Sequence, residues 1–322
     1  SIMYMQSRTF KDYQAFIALI TEGKSDAPIT KDSLTRLRER FDGLTDDERN
    51  QFAQLIWDKF KNYAQEYIPA RNESINISSS YSQCWIVSTR TALDFSAIWR
   101  YDRQGNLILE EITKNPGSKP LVVARTLKNF GYNPRVYSLC ADDDTGRYIR
   151  RRFTEEGLAP EFIGFEGQTR ISLFHFIVGE YEDFLLRSEG SKVEKRQADL
   201  LLEALEEDLR ANTVRQADYL VIDSRSLIIK GEDTPSLEVA RKVKEIAREK
   251  EIKIVVDVSG IATPEEIESV SKGAYLVSVS YKKFIEFSGL KEEDFYNIAP
   301  DEMRKRMGIL AEKAKDFAKR QG

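Results

Sequence analysis

Three consecutive segments decide the fold: Tyr219–Asp223 (YLVID), Pro235–Lys250 (PSLEVARKVKEIAREK) and Lys253–Val258 (KIVVDV). The first and third are short apolar runs of the kind that form strands buried on both faces. The middle one carries its apolar residues at helical spacing. Strand, helix and strand in this order imply a parallel pair joined by a right-handed crossover. The pattern extends outward from there. Strand-like runs occur at Cys84–Thr89, Ala97–Arg100, Leu107–Ile112, Val136–Cys140, Glu161–Phe165, Ile171–Val178, Asp183–Leu186 and Tyr275–Val279. Helical patterns occur at Lys119–Phe130, Thr145–Glu156, Glu194–Arg210, Pro264–Ser271, Lys282–Gly289 and Pro300–Arg320. The expectation is a parallel sheet covered on both faces. The strands near 97–112 and 161–186 lack helices between them and predict a small antiparallel flap on that sheet.

Residues 1–68 read differently. Phe10, Tyr13, Phe16, Ile17 and Ile20 recur at helical spacing, as do Leu34, Leu37 and Phe41. Thr45-Asp46-Asp47-Glu48 is a capping box. It opens a helix whose apolar stripe runs through Phe52, Leu55, Ile56, Phe60, Tyr63 and Tyr67 to Pro69. Such a stripe is either core or a face for a protein partner. Residues 69–82 are polar and turn-rich, a linker between this helical extension and residues 83–322.

Composition narrows the chemistry. The 322 residues are 41% hydrophobic and 32% charged, with 49 Lys and Arg against 53 Asp and Glu, a net charge of −4. This describes a globular chain with no global attraction to nucleic acid or anionic membrane. No apolar run approaches the ~20 residues of a membrane-spanning helix, and no basic-then-apolar leader opens the sequence, so no export is expected. Cys84 and Cys140 lie in apolar strands, which fits a reducing cytoplasm. One histidine, His175, excludes zinc sites built on paired histidines; in its alternating strand it reads as an ordinary strand residue, with a catalytic role as the alternative. The 17 glycines contain no G-x-G pair, and Gly23-Lys24 lacks the upstream glycine of a P-loop.

In open parallel sheets ligands collect beyond the carboxyl ends of the strands. Asp94, Asp223 and Asp257 stand near such exits. Arg170 opens a flap strand, where its guanidinium could grip a phosphate bidentately or simply face solvent. Arg147, Arg150, Arg151 and Arg152 could suggest nucleic-acid binding, but they spread over more than one helix face and Glu155 and Glu156 follow, so a solvated helix is expected.

The order of these pieces resembles PfkB-type sugar kinases of the phosphofructokinase and tagatose-phosphate kinase branch. Ser88-Thr89-Arg90-Thr91-Ala92-Leu93-Asp94 is similar to that family's opening strand. Residues 115–125 (NPGSKPLVVAR) resemble its Pro-Gly-Gly-Lys-Gly-x-Asn-Val-Ala-Arg segment, and Asp144-Thr145-Gly146 heads the next helix. Gln168-Thr169-Arg170-Ile171-Ser172-Leu173 is similar to its Thr-Arg-x-Asn-Leu strand, and Asp257-Val258-Ser259-Gly260 to its Asp-x-Ser-Gly. The resemblance covers residues 84–322. It implies a ribokinase-like three-layer α/β/α sandwich, nine-stranded or similar, with a small β lid that closes over the sugar and often pairs two subunits. It implies transfer of the ATP γ-phosphoryl group to a sugar or sugar phosphate with magnesium. Carried across, Asp94 would bind sugar hydroxyls, Lys119 and Arg170 the substrate's phosphate, and Gly117 would let the backbone approach the sugar.

The family's Gly-Ala-Gly-Asp motif has no counterpart, because no glycine here precedes an aspartate. The sequence stops near the end of the helix that comes before the family's nucleotide-binding third. Ser118, Pro120 and Val122 replace two glycines and an asparagine, Arg225 replaces a glycine, and Lys283 replaces a glutamate near the magnesium site. Two readings follow. One is a non-catalytic, pseudokinase-like relative with a binding or structural role, its fold kept for its surface or for a retained sugar-phosphate pocket, its helices 1–68 added for a protein partner, and no cofactor needed. The other is a fragment of an ATP-dependent kinase that uses ATP and magnesium.

Overall fold

A computed structural model describes residues 2–66, 83–180, 183–211, 219–223, 235–258, 264–280, 284–286, 288–291, 295 and 299–321. The expected linker, 69–82, lies outside them. Two sheets organise the molecule. The larger joins β2 (Gln83–Ser88), β5 (Asn133–Ala141), β6 (Ala159–Phe165), β9 (Tyr219–Asp223), β10 (Lys253–Val258) and β11 (Leu276–Val279) in the order β11-β10-β9-β2-β5-β6. Every pairing in it is parallel.

Side-chain alternation splits this sheet between two cores. Cys84, Ile86, Val136, Cys140 and Val221 face α4 (Lys119–Asn129) and α5 (Asp144–Glu155). Trp85, Val87, Tyr137, Leu139, Leu220, Ile222 and Val256 face α6 (Lys195–Ala211), α7 (Pro235–Glu249) and α8 (Pro264–Ser271). The sandwich is the three-layer α/β/α arrangement expected of the sequence, because a parallel sheet is apolar on both faces and needs helices on each. A last helix, α9 (Pro300–Gln321), buries Phe317 in the second core.

The second sheet is the lid. Its strands β1 (Gln65–Glu66), β3 (Ala92–Tyr101), β4 (Leu107–Gly117), β7 (Arg170–Ile177) and β8 (Asp183–Arg187) lie in the order β1-β4-β3-β7-β8. It corrects the sequence-based flap in two respects. Its central pair, β3 with β7, is parallel rather than antiparallel. The run Glu161–Phe165 belongs to β6, on the edge of the larger sheet. Spacing along the chain could not show this, because β4 and β7 are separated by a whole α4-β5-α5-β6 excursion into that sheet.

Along β3 the side chains alternate between the two faces of the lid. Leu93, Phe95, Ala97 and Trp99 of β3 are buried, with Ile171, Leu173 and His175 beside them in register. The N-terminal helices α1 (Ile2–Glu22), α2 (Lys31–Asp42) and α3 (Asp46–Phe60) cover this face. Tyr13 of α1 lies 4.8 Å from the Phe60 ring, 6.2 Å from Phe95 and 6.3 Å from Trp99. The Thr45 capping box forms as expected: Thr45 N–H donates to Glu48 Oε2 at 2.8 Å and Glu48 N–H donates to Thr45 Oγ1 at 3.3 Å. The predicted stripe is shortened, since α3 ends at Phe60 and Tyr63 is 51% exposed. Beyond it, Gln65 and Glu66 add a parallel strand to Thr113 and Lys114, so residues 1–68 are not wholly helical.

His175 is part of this packing. Trp99 Nε1–H donates to His175 Nδ1 at 3.2 Å, which places the imidazole proton on Nε2, 3.5 Å from the Tyr13 hydroxyl. Complete burial lowers its pKa from 6.5 to about 4. Between these values the unfolded chain binds the proton and the folded chain does not. The folded state therefore keeps its full advantage above pH 6.5 and loses it as pH falls toward 4. Urea denaturation of wild type and His175→Gln at pH 7 and pH 4 should show the wild type losing about 3 kcal/mol more. Equal losses in both proteins would contradict this reading.

Candidate functional site

The open face of the lid looks across a cleft at the carboxyl ends of the large sheet. A pocket of about 210 Å³ lies there. Strand period puts Asp94 of β3, Ser172 of β7 and Arg187 of β8 side by side on its lid wall, because Asp94 pairs with Ser172 and Ser172 with Arg187. Arg170 enters from the first residue of β7, Arg90 from the turn after β2, and Lys119 from the first residue of α4. Asp94, Lys119 and Arg170 thus meet in one pocket. Arg90 and Arg187 also line it, and the sequence reading assigned neither a role. Arg187 was recoverable by counting alternate residues in β8. Arg90 was not, because only the fold of the turn aims it inward.

Gly117 packs against the Asp94 carboxylate. A Cβ there would stand 2.3 Å from the Asp94 carboxylate, so the missing side chain makes room for Asp94 itself. The next residue, Ser118, holds φ 81° and ψ 147°, a conformation suited to glycine. Ser118 occupies the N-cap position of α4 without capping it through its side chain, and it lines the pocket. The positive end of the α4 dipole therefore adds to the basic side chains around the pocket.

Two basic groups are already tied to carboxylates. Lys119 Nζ lies 2.6 Å from Asp257 Oδ2 near the end of β10, which bridges the lid hinge to the large sheet. Arg90 Nη1 donates to the Glu189 carboxylate at 3.3 Å and to its carbonyl at 3.4 Å, and its side chain is only 10% exposed. Asp223 pairs with Asp257 in register at the same end of the sheet.

The helix that follows β5 begins at Asp144 and is capped by Asp143. Its carboxylate accepts from Gly146 N–H at 2.7 Å, Thr169 N–H at 2.7 Å and Thr169 Oγ1–H at 2.6 Å. These bonds anchor the residue before Arg170 to the start of α5. Asp144 instead accepts from Lys61 and from Trp57 Nε1 at 3.3 Å, and the Lys61 ammonium holds its carboxyl below the usual range. The arginines of α5 each meet a carboxylate: Arg147 with Asp144, Arg150 with Asp142, Arg151 and Arg152 with Glu66.

Among the described residues, no three His, Cys, Asp or Glu side chains lie close enough to hold a metal ion. Arg225, Ser259, Gly260 and Lys283 lie outside the described residues. No helix among those described is long and apolar enough to cross a membrane.

A family model described as pfkB family carbohydrate kinase matches residues 92–313. No curated protein matches the chain. Among solved structures, phosphofructokinase-2 from Escherichia coli in complex with fructose-6-phosphate is similar over 72% of this chain and 71% of its own, with TM-score 0.53 and 18% identity. The same enzyme with substrates and products matches over 69% and 67%, with TM-score 0.52 and 18% identity. Its tetrameric inhibited form matches over 70% and 68%, with TM-score 0.50 and 18% identity. At such identity these likenesses establish the fold.

Ser118→Gly should raise stability by about 1 kcal/mol, since relief of the strained backbone exceeds the extra chain entropy of glycine. Urea denaturation measures it, and a destabilised variant would contradict the strain.

Proposed function

The chain belongs to the pfkB family of carbohydrate kinases, and from that premise we propose that its lid pocket holds a sugar phosphate. Arg170 and Arg187 take the phosphate with Lys119, Arg90 supports them, and Asp94 accepts hydrogen bonds from sugar hydroxyls. One observation carries this reading. Four basic side chains and one carboxylate reach a single small pocket from the exit of β2 and from β3, α4, β7 and β8. Guanidinium forks match phosphate oxygens bidentately, and a nearby carboxylate suits polyol hydroxyls but repels a second anion. Binding here exchanges the Lys119–Asp257 contact for a contact between Lys119 and phosphate.

These 322 residues are read as binding without phosphoryl transfer. They contain no Gly-Asp pair to supply the anion cradle and the proton acceptor that such transfer requires. The alternative is a kinase that acts on the same ligand with ATP and magnesium. Retention of the substrate-side residues favours it. A reducing cytoplasm is the proposed compartment, in keeping with two buried free thiols, Cys84 and Cys140.

A second copy of the chain is the proposed occupant of the lid's outer reach. On the face that carries Asp94, the rings of Phe174 and Phe176 stack 5.6 Å apart, and Phe176 is 40% exposed. The opposite face is already covered by α1–α3. One similar enzyme, phosphofructokinase-2, is described as tetrameric in its inhibited form, which supports assembly in this fold.

Calorimetry with fructose 6-phosphate should give saturable binding, and Arg170→Ala should weaken it roughly tenfold to a hundredfold. No heat of binding to the wild type would contradict the pocket. A coupled ADP assay with ATP, magnesium and fructose 6-phosphate should show no turnover, and product formation would establish the kinase reading instead. Light scattering should give a dimer that Phe176→Asp converts to monomer. A monomeric wild type would contradict the lid pairing.

A further inference from the structure

The loop after β8 is bound closely to the strand that bears Arg170. Ser188 N–H donates to Ile171 O and Ile171 N–H donates to Ser188 Oγ, both at 2.9 Å. Ser191 N–H donates to Gln168 O at 2.9 Å, and Gln168 N–H donates to Ser191 Oγ at 2.8 Å. Arg170 lies between these two reciprocal pairs. Gly190 sits at the centre with φ +68°, where a Cβ would come within 2.8 Å of the Arg170 nitrogen. Glu189, its neighbour, holds Arg90 through both its carboxylate and its carbonyl. Arg187 leads directly into the same loop. Residues 187–191 thus hold the Arg90 side chain, bond the backbone on both sides of Arg170, and include Arg187 itself.

What fixes this loop from outside comes from the N-terminal helices. Asn50 of α3 accepts from Gly190 N–H through Oδ1 at 2.9 Å and donates from Nδ2 to Gly190 O at 3.3 Å. The two bonds satisfy both polar groups of one peptide-chain residue, and they require the amide in this orientation only. Asn50 is 140 residues away in sequence and lies outside the segment 92–313 that matches the family.

We propose that Asn50 is a positioning residue through which the helical extension sets the phosphate-binding arginines, a role that rests on the pocket reading given above. The helices then do more than cover the lid. Docking of α3 orders the 187–191 loop, the loop orders Arg90, Arg170 and Arg187, and pocket affinity becomes dependent on the extension.

The test uses the full chain and four proteins: wild type, Asn50→Ala, Glu189→Gln, and the double variant Asn50→Ala with Glu189→Gln. Calorimetry is run with fructose 6-phosphate and, separately, with inorganic phosphate. Amide hydrogen exchange at Gly190 and urea midpoints are measured in parallel. Asn50→Ala should weaken both ligands about tenfold, speed exchange at Gly190 and leave the urea midpoint within error. The double variant should lose less than the sum of its parts, because both substitutions release the same loop. Unchanged affinity in Asn50→Ala overturns the proposal. So does a loss of affinity that follows a lowered midpoint with Gly190 exchange unaltered. A wild type that binds neither ligand overturns the pocket reading and this role with it, whereas a wild type that binds as well as the variant does overturns only the role of Asn50.

Discussion

The alternation of side chains along β3 is the constraint on which the rest of the molecule depends. Leu93, Phe95, Ala97 and Trp99 point to one face of the lid, and Asp94 and Ser96 point to the other. Because the period is two, a slip of one residue would bury Asp94 under α1 and expose Trp99 over the pocket. Burial of the apolar set beneath Tyr13, Ile56 and Phe60 therefore fixes the register that delivers the carboxylate. The helical extension and the pocket are two faces of one sheet.

This arrangement explains why the lid's covered face tolerates a histidine. A neutral imidazole, bonded to Trp99 and facing Tyr13, fills polar needs within an apolar layer without carrying charge. The opposite face concentrates charge instead. There the cost of gathering arginines is offset by carboxylates held one layer back, Glu189 behind Arg90 and Asp257 against Lys119. A phosphate entering such a site meets guanidinium groups whose orientation is set before it arrives, which limits the entropy lost on binding.

Much of the large sheet was legible in the sequence because buried strands and amphipathic helices carry strong local patterns. The helix at Pro264–Ser271 and the strands at Tyr219–Asp223 and Lys253–Val258 coincide with their expected bounds. The lid was harder. Its β3–β7 pairing joins residues separated by a complete excursion through the sandwich, and no local pattern encodes that partner. Asp94 and Arg170 are legible from their places at strand ends and Lys119 from motif resemblance, and the fold brings the three together. The closeness of Gly117 to Asp94 shows only in the fold, which pairs β3 with β4. Arg90 and Asn50 carry no local signal, because their meaning lies in a turn and in a long-range backbone contact, whereas the alternation of β8 points Arg187 to the pocket face. Asp144 heads its helix as the motif implies, while the capping role of the adjacent Asp143 shows only in its bonds to Gly146 and Thr169.

The central claim concerns where an anion comes to rest. A crystal structure of the full chain grown with fructose 6-phosphate tests it most directly. The account predicts phosphate density between Arg170 and Arg187, with a sugar hydroxyl against Asp94 and Lys119 turned from Asp257 toward the ligand. Density for the ligand at another surface, or an empty pocket at saturating ligand with Lys119 still on Asp257, would contradict it.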